Sequence, residues 1–346
     1  MEILRVGIVG SSFGVHAYLP ALQQHPAFEV VALASPNTAA TVAPKHKIAK
    51  AFASCEAMLE GCELDVVAVV SPPFAHCDNV LASLRAGKHV ICEEPFGLSV
   101  DEAQSMVDAA RAAGTVCGVG CDLRFVPASK ALKQYVADGN CDPLRGIEIT
   151  ALRQNLRRTE ERPRGWFFER ESGGGVAGTV LSHLIDYANW LAARPPVRSF
   201  GFRRTANPTR VDRSGEFVST VDDGAFVLVD YGDGLVARLT ADGTAEMEMY
   251  TCAVHGEERG ALASGTNIAE LGLYSIDKGQ TEEREYPLSK YERYAFNSNI
   301  PTLMEILDEF VKAILGESNE LPTFEDALIT QHVLASIGYV NDAAGA

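Results

Sequence analysis

The segment Gly7-Ile-Val-Gly10-Ser11-Ser12-Phe13-Gly14 stands between an apolar run and a helix pattern. Glycines at such a turn let the backbone approach a pyrophosphate, which the free N–H groups of the helix's first turn then hold. Against the spacing G-x-G-x-x-G, the segment keeps Gly10 but has Ser12 and Val15 at the second and third glycine positions. Taken alone, Gly10 to Gly14 reads equally as a tight strand-to-helix turn without a ligand. The next strand pattern ends at Ser35-Pro36-Asn37, where no carboxylate stands to accept a ribose 2′-hydroxyl. That absence leans towards NADP over NAD, although no arginine adjoins it to hold a 2′-phosphate. Lys45 and Lys47 are alternative partners for such a phosphate, or simply solvated lysines.

Further along, Ser71-Pro72-Pro73 with His76 follows a third strand pattern, and Glu93-Glu94-Pro95 follows a fourth. Adjacent carboxyls, or burial, raise a carboxyl pKa. A neutral Glu94 can donate a proton, and an ionised one can bind an amine or abstract an acidic C–H; the alternative is a Glu94 that faces solvent or pairs with an arginine. His183, Asp186, Tyr187 and Trp190 fall at i, i+3, i+4 and i+7, one face of a helix. His183 there is either a general acid–base, with Tyr187 one turn away, or a satisfied core histidine. Thr179 does not titrate and offers only a hydroxyl hydrogen bond.

Arg153, Arg157, Arg158, Arg162, Arg164 and Arg170 place six guanidiniums within 18 residues of an otherwise acidic chain. Guanidinium forks suit carboxylate or phosphate recognition, and equally a solvated loop with ion pairs. Arg164 is the substrate candidate among them, with Trp166 beside it as a wall; Arg124 is a second substrate candidate and a cofactor candidate.

The body that must hold these groups has 346 residues, 47% of them hydrophobic, and a formal charge of −16. That length suggests about two domains. A chain this acidic repels phosphate backbones and anionic lipid, so neither nucleic acid nor a membrane is expected as a partner. Met1-Glu2 runs straight into the first strand pattern, and a cytoplasmic protein without a signal peptide is the expectation. The eight cysteines include no Cys-x-x-Cys pair and read as reduced buried thiols, so no metal site is expected.

Strand patterns at Leu4–Val9, Glu29–Ala34, Val66–Val70, His89–Cys92 and Val116–Gly120 alternate with helix patterns at Leu19–Gln24, Cys55–Leu59, Asn79–Ala86 and Val100–Ala113. This is the grammar of βαβ units and a doubly wound parallel sheet. From about residue 145 strand runs follow one another: 147–153, 197–203, 225–231, 235–241, 246–254 and 270–276. Turn signals between some of them point to hairpins and an antiparallel sheet. Helix patterns at Ser182–Ala192, Leu303–Leu315 and Phe324–Val340 complete the chain. The run 225–231 is apolar at nearly every position, so both its faces need cover, one by a helix and the other by a second copy of the chain.

Ser71-Pro72-Pro73, Glu93-Glu94-Pro95, Arg124-Phe125-Val126-Pro127, the triple glycine 173–175 with His183 and Asp186, and Glu305-x-x-Asp308-x-Phe310 together resemble the Gfo/Idh/MocA family of NAD(P)-dependent oxidoreductases. The resemblance implies an α/β fold: a Rossmann domain over 1–122, and a domain over 123–346 with an open, mostly antiparallel sheet. It also implies that helices at about 303–340 pack back on the first domain, and that copies associate as a homodimer or homotetramer through the second sheet. The implied reaction is hydride transfer between NADP or NAD and a small polar substrate: sugar-like, keto, enone or imine. The implied cofactor contacts are Gly10, Ser11, Ser12, Phe13, Gly14, Ser35, Pro36, Asn37, Ser71, Pro72, Pro73, His76, Glu93, Pro95 and Arg124. The family's usual apparatus is a Lys in Glu-Lys-Pro, with an Asp and a His in G-G-G-x-x-x-D-x-G-x-H. Here Glu94 holds the Lys position, Thr179 the Asp position and Leu181 the following Gly, and His183 is retained. Two other readings remain open at this point: a redox-neutral lyase, isomerase or cyclase using Glu94 and His183 beside a retained nucleotide, and a non-catalytic nucleotide-sensing protein.

Overall fold

The structure, a computed structural model, describes residues 2–157, 163–295 and 297–340; Arg158 and Arg162 of the arginine cluster lie outside them. The chain divides into two compact units. The first holds the residues up to Asp122 together with Lys290–Leu328, and the second holds Leu123–Ser289 and Ile329 onward.

In the first unit, six strands lie in the order β3-β2-β1-β4-β5-β6: β1 Leu4–Val9, β2 Phe28–Ala34, β3 Lys50–Phe52, β4 Val66–Val69, β5 His89–Cys92 and β6 Cys117–Val119. All neighbours are parallel. All four residues of β4, Val-Val-Ala-Val, are buried, as a central strand covered on both faces requires. Strand order reverses between β1 and β4, which makes their carboxyl ends the switch point where such sheets bind ligands. The helix Val100–Ala113 shows why the connecting segments coil. Ser99 accepts the Glu102 N–H at 3.2 Å, Glu102 Oε2 takes the Leu98 N–H at 2.8 Å, and Gly114 (φ 63°) ends the helix in the left-handed region. From the far end of the chain, Pro322 gives its carbonyl to the Val119 N–H at 2.9 Å, covering the edge of β6. Phe324 packs on Phe96 with ring centroids 4.6 Å apart.

The second unit carries an eight-stranded sheet in the order β16-β15-β14-β13-β7-β12-β11-β8. The strands are β7 Gly146–Leu152, β8 Arg198–Arg204, β11 Gly224–Asp230, β12 Val236–Asp242, β13 Met249–His255, β14 Arg259–Gly265, β15 Gly272–Asp277 and β16 Gln280–Arg284; β9 Thr209–Asp212 and β10 Gly215–Val218 form a separate ribbon. Only the β7–β12 pair is parallel; the other pairs are antiparallel. Alternate residues Ile147, Ile149 and Ala151, with Ala225, Val227 and Val229, join one buried core with Leu132, Leu184, Ile185 and Leu191 of the helices Pro127–Ala137 and Ser182–Ala192. The opposite face of the sheet is less covered: Phe200 and Phe202 are exposed, and Phe226 stacks on Phe202 at 5.0 Å.

Boundaries differ from the sequence expectation where side-chain pattern says little. The helix after β4 begins at His76, not Asn79, and the helix expected over 303–315 begins at Asn299 because Pro301 sits in its first turn, where no N–H is needed. The helix expected to reach Val340 stops at Ser336. The strands β3, β9, β10, β14 and β16 and the helix Pro127–Ala137 were not anticipated.

Candidate active site

β1 runs into Gly10, whose φ of 114° is a conformation glycine alone adopts readily. A Cβ there would stand 2.2 Å from the Val70 carbonyl oxygen, so the backbones leaving β1 and β4 touch because residue 10 has no side chain. Gly14 is less constrained: a Cβ there would stand 2.9 Å from the Ile8 Cγ2 methyl. The helix after this turn starts at Gly14–Tyr18 with wide, five-residue spacing, the Leu19 N–H bonding the Gly14 carbonyl, and continues regularly over Leu19–Gln24. Ser12 is exposed, while Ser11 and Phe13 are half-buried beside it.

At the end of β2, three hydroxyls meet. Ser11 Oγ lies 3.2 Å from Ser35 Oγ and 2.6 Å from Thr38 Oγ1, and Ser35 and Thr38 are 2.8 Å apart. Pro36 and Asn37 are exposed around them. Thr38 was missed in the sequence; the Ser-x-x-Thr spacing was its only signal. The cluster presents neutral donors and acceptors and no carboxylate. With the glycine turn and the helix start, it fits a dinucleotide at the switch point.

His76 is buried between the ends of β4 and β5. Its Nδ1 is 3.0 Å from the Pro95 carbonyl and its Nε2 is 2.6 Å from the Ser71 carbonyl. Complete burial pushes its pKa down, towards the neutral ring that donates one of these bonds. The neutral His76 ring therefore bonds one of the two turns, Ser71-Pro72-Pro73 or Glu93-Glu94-Pro95, and packs against the other. Ser71 Oγ accepts from Asn79 at 3.2 Å.

Glu93, Glu94 and Pro95 are all buried. Tyr18, where the wide turn Gly14–Tyr18 meets the helix Leu19–Gln24, donates a short hydrogen bond to Glu93 Oε1. Glu93 Oε2 accepts the Glu94 N–H at 3.3 Å, and the Cys121 thiol donates to Glu94 Oε1 at 3.5 Å. Burial, then the nearby Asp122 and Glu94, push the Glu93 pKa up to about 8 against the pull of Tyr18. Tyr18 and Cys121 were not anticipated, because long-range packing alone brings them here.

In the second unit, the loop Gly173-Gly174-Gly175 leads into a second wide turn, Ala177–Leu181, and then into the helix Ser182–Ala192. Thr179 Oγ1 donates to the Gly175 carbonyl at 2.7 Å and stays half-buried. His183 is half-buried, with Nδ1 on its buried side. Tyr187 shares that helix but is a core residue. It is wholly buried, its hydroxyl donates to the Ser129 carbonyl at 3.3 Å, and burial pushes its pKa well up.

Arg124 Nε and Nη2 donate to the two carboxylate oxygens of Asp186 at 2.8 and 2.5 Å, both residues being buried. The fork that would read a substrate carboxylate is therefore engaged within the unit. Arg153 and Arg157 pair with Glu248 and Glu246 at 3.0 and 3.6 Å. Arg164 lies over the Phe217 ring at 5.9 Å, and Trp166 heads an edge-to-face series through Phe167 and Phe168 to Phe217. Among the described residues there is no metal-binding cluster of three His, Cys, Asp or Glu, and no helix is long and apolar enough to cross a membrane.

Residues 4–121 match the family described as "Oxidoreductase family, NAD-binding Rossmann fold", and residues 129–262 match the GFO/IDH/MocA C-terminal domain. The chain is an NAD(P)-dependent oxidoreductase of the Gfo/Idh/MocA family. It is 34% identical over 345 residues to trans-1,2-dihydrobenzene-1,2-diol dehydrogenase of Macaca fascicularis, covering 97% of this chain and 96% of that protein. An NAD binding oxidoreductase from Klebsiella pneumoniae superposes with a TM-score of 0.83 at 25% identity, over 97% of this chain and 96% of that one. Levoglucosan dehydrogenase, in complex with NADH and levoglucosan, shares the fold with a TM-score of 0.85 at 21% identity and the same coverage.

Proposed function

We propose that this Gfo/Idh/MocA enzyme exchanges a hydride between a nicotinamide dinucleotide and a small polar substrate, using an altered proton-handling site. The reading is carried by one observation: the carboxyl pair Glu93–Glu94 is buried and hydrogen-bonded through Tyr18 to the helix that begins at the dinucleotide turn. The residue at the family's usual lysine position is thus an acid held in the cofactor-binding unit.

Gly10 and Gly14 admit the pyrophosphate, and the Ser11–Ser35–Thr38 hydroxyls take the adenosine ribose. Because these are neutral hydroxyls, the site accepts a 2′-phosphate as well as a 2′-hydroxyl, with a modest preference for NADP. When bound, the nicotinamide supplies or accepts the hydride. His183 passes the accompanying proton at Nε2, since Nδ1 is buried. Thr179 offers a hydroxyl lone pair where the family has a carboxylate. Glu94 in its neutral form donates a hydrogen bond to a carbonyl or imine, whereas a lysine would stabilise an alkoxide. The sparsely covered sheet face with Phe200, Phe202 and Phe226 is proposed to meet a second copy of the chain.

Titration with NADPH and NADH, followed by nicotinamide emission, is expected to saturate with both; no binding at millimolar nucleotide would sink the proposal. Turnover is to be sought at the nicotinamide absorbance band with trans-1,2-dihydrobenzene-1,2-diol, levoglucosan, small ketones and cyclic imines. For any substrate that reacts, His183→Gln is expected to lower kcat roughly 10²–10⁴-fold.

A further inference from the structure

The last helix, Phe324–Ser336, closes at Gly338 (φ 69°) with two bonds. The Gly338 N–H reaches the Ala335 carbonyl at 2.9 Å, and the Tyr339 N–H reaches the Leu334 carbonyl at 3.2 Å. This Schellman cap reverses the chain across the helix end and throws the next residues sideways. They land on the glycine loop that precedes His183.

Two guanidiniums grip the cap. Arg170 Nη2 donates to the Gly338 carbonyl at 2.9 Å, and Arg203 gives Nη2 to the same oxygen and Nε to the Ile337 carbonyl at 3.1 Å. Arg203 Nη1 also reaches Asp222 Oδ1 at 3.3 Å, and Asp222 Oδ2 accepts the Ala177 N–H at 2.7 Å. Ala177 is the first residue of the wide turn. The second line of force is Tyr339 itself. It is wholly buried, and its hydroxyl donates to the Gly173 carbonyl at 3.1 Å. A Cβ on Gly178, inside the wide turn, would stand 2.6 Å from that hydroxyl oxygen.

Both lines end on Ala177–Leu181, where the Ser182 N–H bonds the Ala177 carbonyl five residues back. Such five-residue turns are rare and need outside support, because a regular helix is the cheaper alternative. This one carries Thr179 and hands the chain to His183.

We infer that Tyr339, held by the Arg170–Arg203 grip on Gly338, is a positioning residue that sets the wide turn and thereby the stance of the His183 imidazole. Its consequence for catalysis rests on the proposed role of His183; the positioning itself does not.

The test reads His183 directly. Its modification by diethyl pyrocarbonate is measured by peptide mass spectrometry between about pH 5.5 and 8, where histidine titrates. Exposed His46 serves as the internal reference. In Tyr339→Phe the His183 modification rate should change by at least about threefold, the size expected when one buried hydrogen bond is withdrawn. His46 should stay as in the parent. An unchanged His183 profile overturns the inference. Gly178→Ala should disturb His183 likewise, and adding Tyr339→Phe should bring it part of the way back; strictly additive effects also overturn it. If Tyr339→Phe does not fold, Arg170→Gln removes one donor from Gly338, and the same shift is required of it. His183→Gln in turnover tests the acid–base reading alone. Parent-like kcat there ends that reading, while the His183 reactivity still decides on Tyr339.

Discussion

The Tyr18 hydroxyl donates to Oε1 of Glu93, so the helix that follows the Gly10 turn and the carboxyl pair after β5 are held by one buried hydrogen bond. Gly120 makes room for it, since a Cβ there would stand 2.2 Å from Glu93 Oε1 and 2.8 Å from the Tyr18 hydroxyl oxygen. The bond favours the ionised carboxylate, while burial and two neighbouring acids oppose it and win. The protonated form of Glu93 is thereby favoured.

That retained proton makes stability depend on pH. Between 4.5 and about 8 the native state holds a proton on Glu93 that the unfolded chain has released. Unfolding free energy must then fall as pH rises through this window, by up to about 1.4 kcal/mol per pH unit, and level off above it. Urea melts from acid to mild alkali should show the fall in the parent and a flatter profile in Glu93→Gln; parallel profiles would remove Glu93 as the cause.

Gly10→Ala should be severe. The added methyl meets the Val70 carbonyl oxygen at 2.2 Å, and φ is 114°. The expected cost is about 2–4 kcal/mol of stability with loss of nucleotide binding. Thermal melts and NADH emission titration measure both, and retained affinity in a folded variant would contradict the assigned turn.

Ser35→Asp tests the hydroxyl cluster. A carboxylate among Ser11 and Thr38 can accept from a ribose 2′-hydroxyl but repels a 2′-phosphate. NADPH affinity should drop about tenfold or more, with NADH affinity kept or raised. Equal losses for the two cofactors would place the ribose elsewhere.

Arg124→Met strands the buried Asp186 carboxylate, whose side chain is 1% exposed, at an expected cost of about 3–5 kcal/mol. Adding Asp186→Leu should recover most of it, because an apolar pair of similar volume replaces a desolvated ion pair. Chemical denaturation of the parent and the two variants settles this; a single-variant cost below about 1 kcal/mol would mean the pair is relaxed in solution.

Much of the first unit was legible because its strands are apolar runs bounded by glycines. β1, β5 and the helix Val100–Ala113 lie where periodicity put them. β3 escaped notice because it is a three-residue edge strand with two exposed residues, and β14, Arg-Gly-Ala-Leu-Ala-Ser-Gly, has little intrinsic strand preference. The wide turns at Gly14–Tyr18 and Ala177–Leu181 have no compositional signature, since the same residues would make an ordinary helix. In the site, the glycine turn was readable from chain chemistry. The Arg124–Asp186 pair spans 62 positions, and the Tyr18–Glu93 bond spans 75. Only the folded sheet and helices bring such groups together, which is also why the Tyr187 hydroxyl turned out to serve the core.

The edge of β6 is covered by Pro322. As the chain leaves the ribosome, all six strands of the parallel sheet emerge about two hundred residues before Pro322, so a sheet formed in that interval has a bare β6 edge. A nascent chain stalled anywhere in that interval carries a ready template for pairing with another copy. Truncations that spare every catalytic side chain but remove the last helices should accordingly aggregate during synthesis instead of accumulating as a nucleotide-binding fragment.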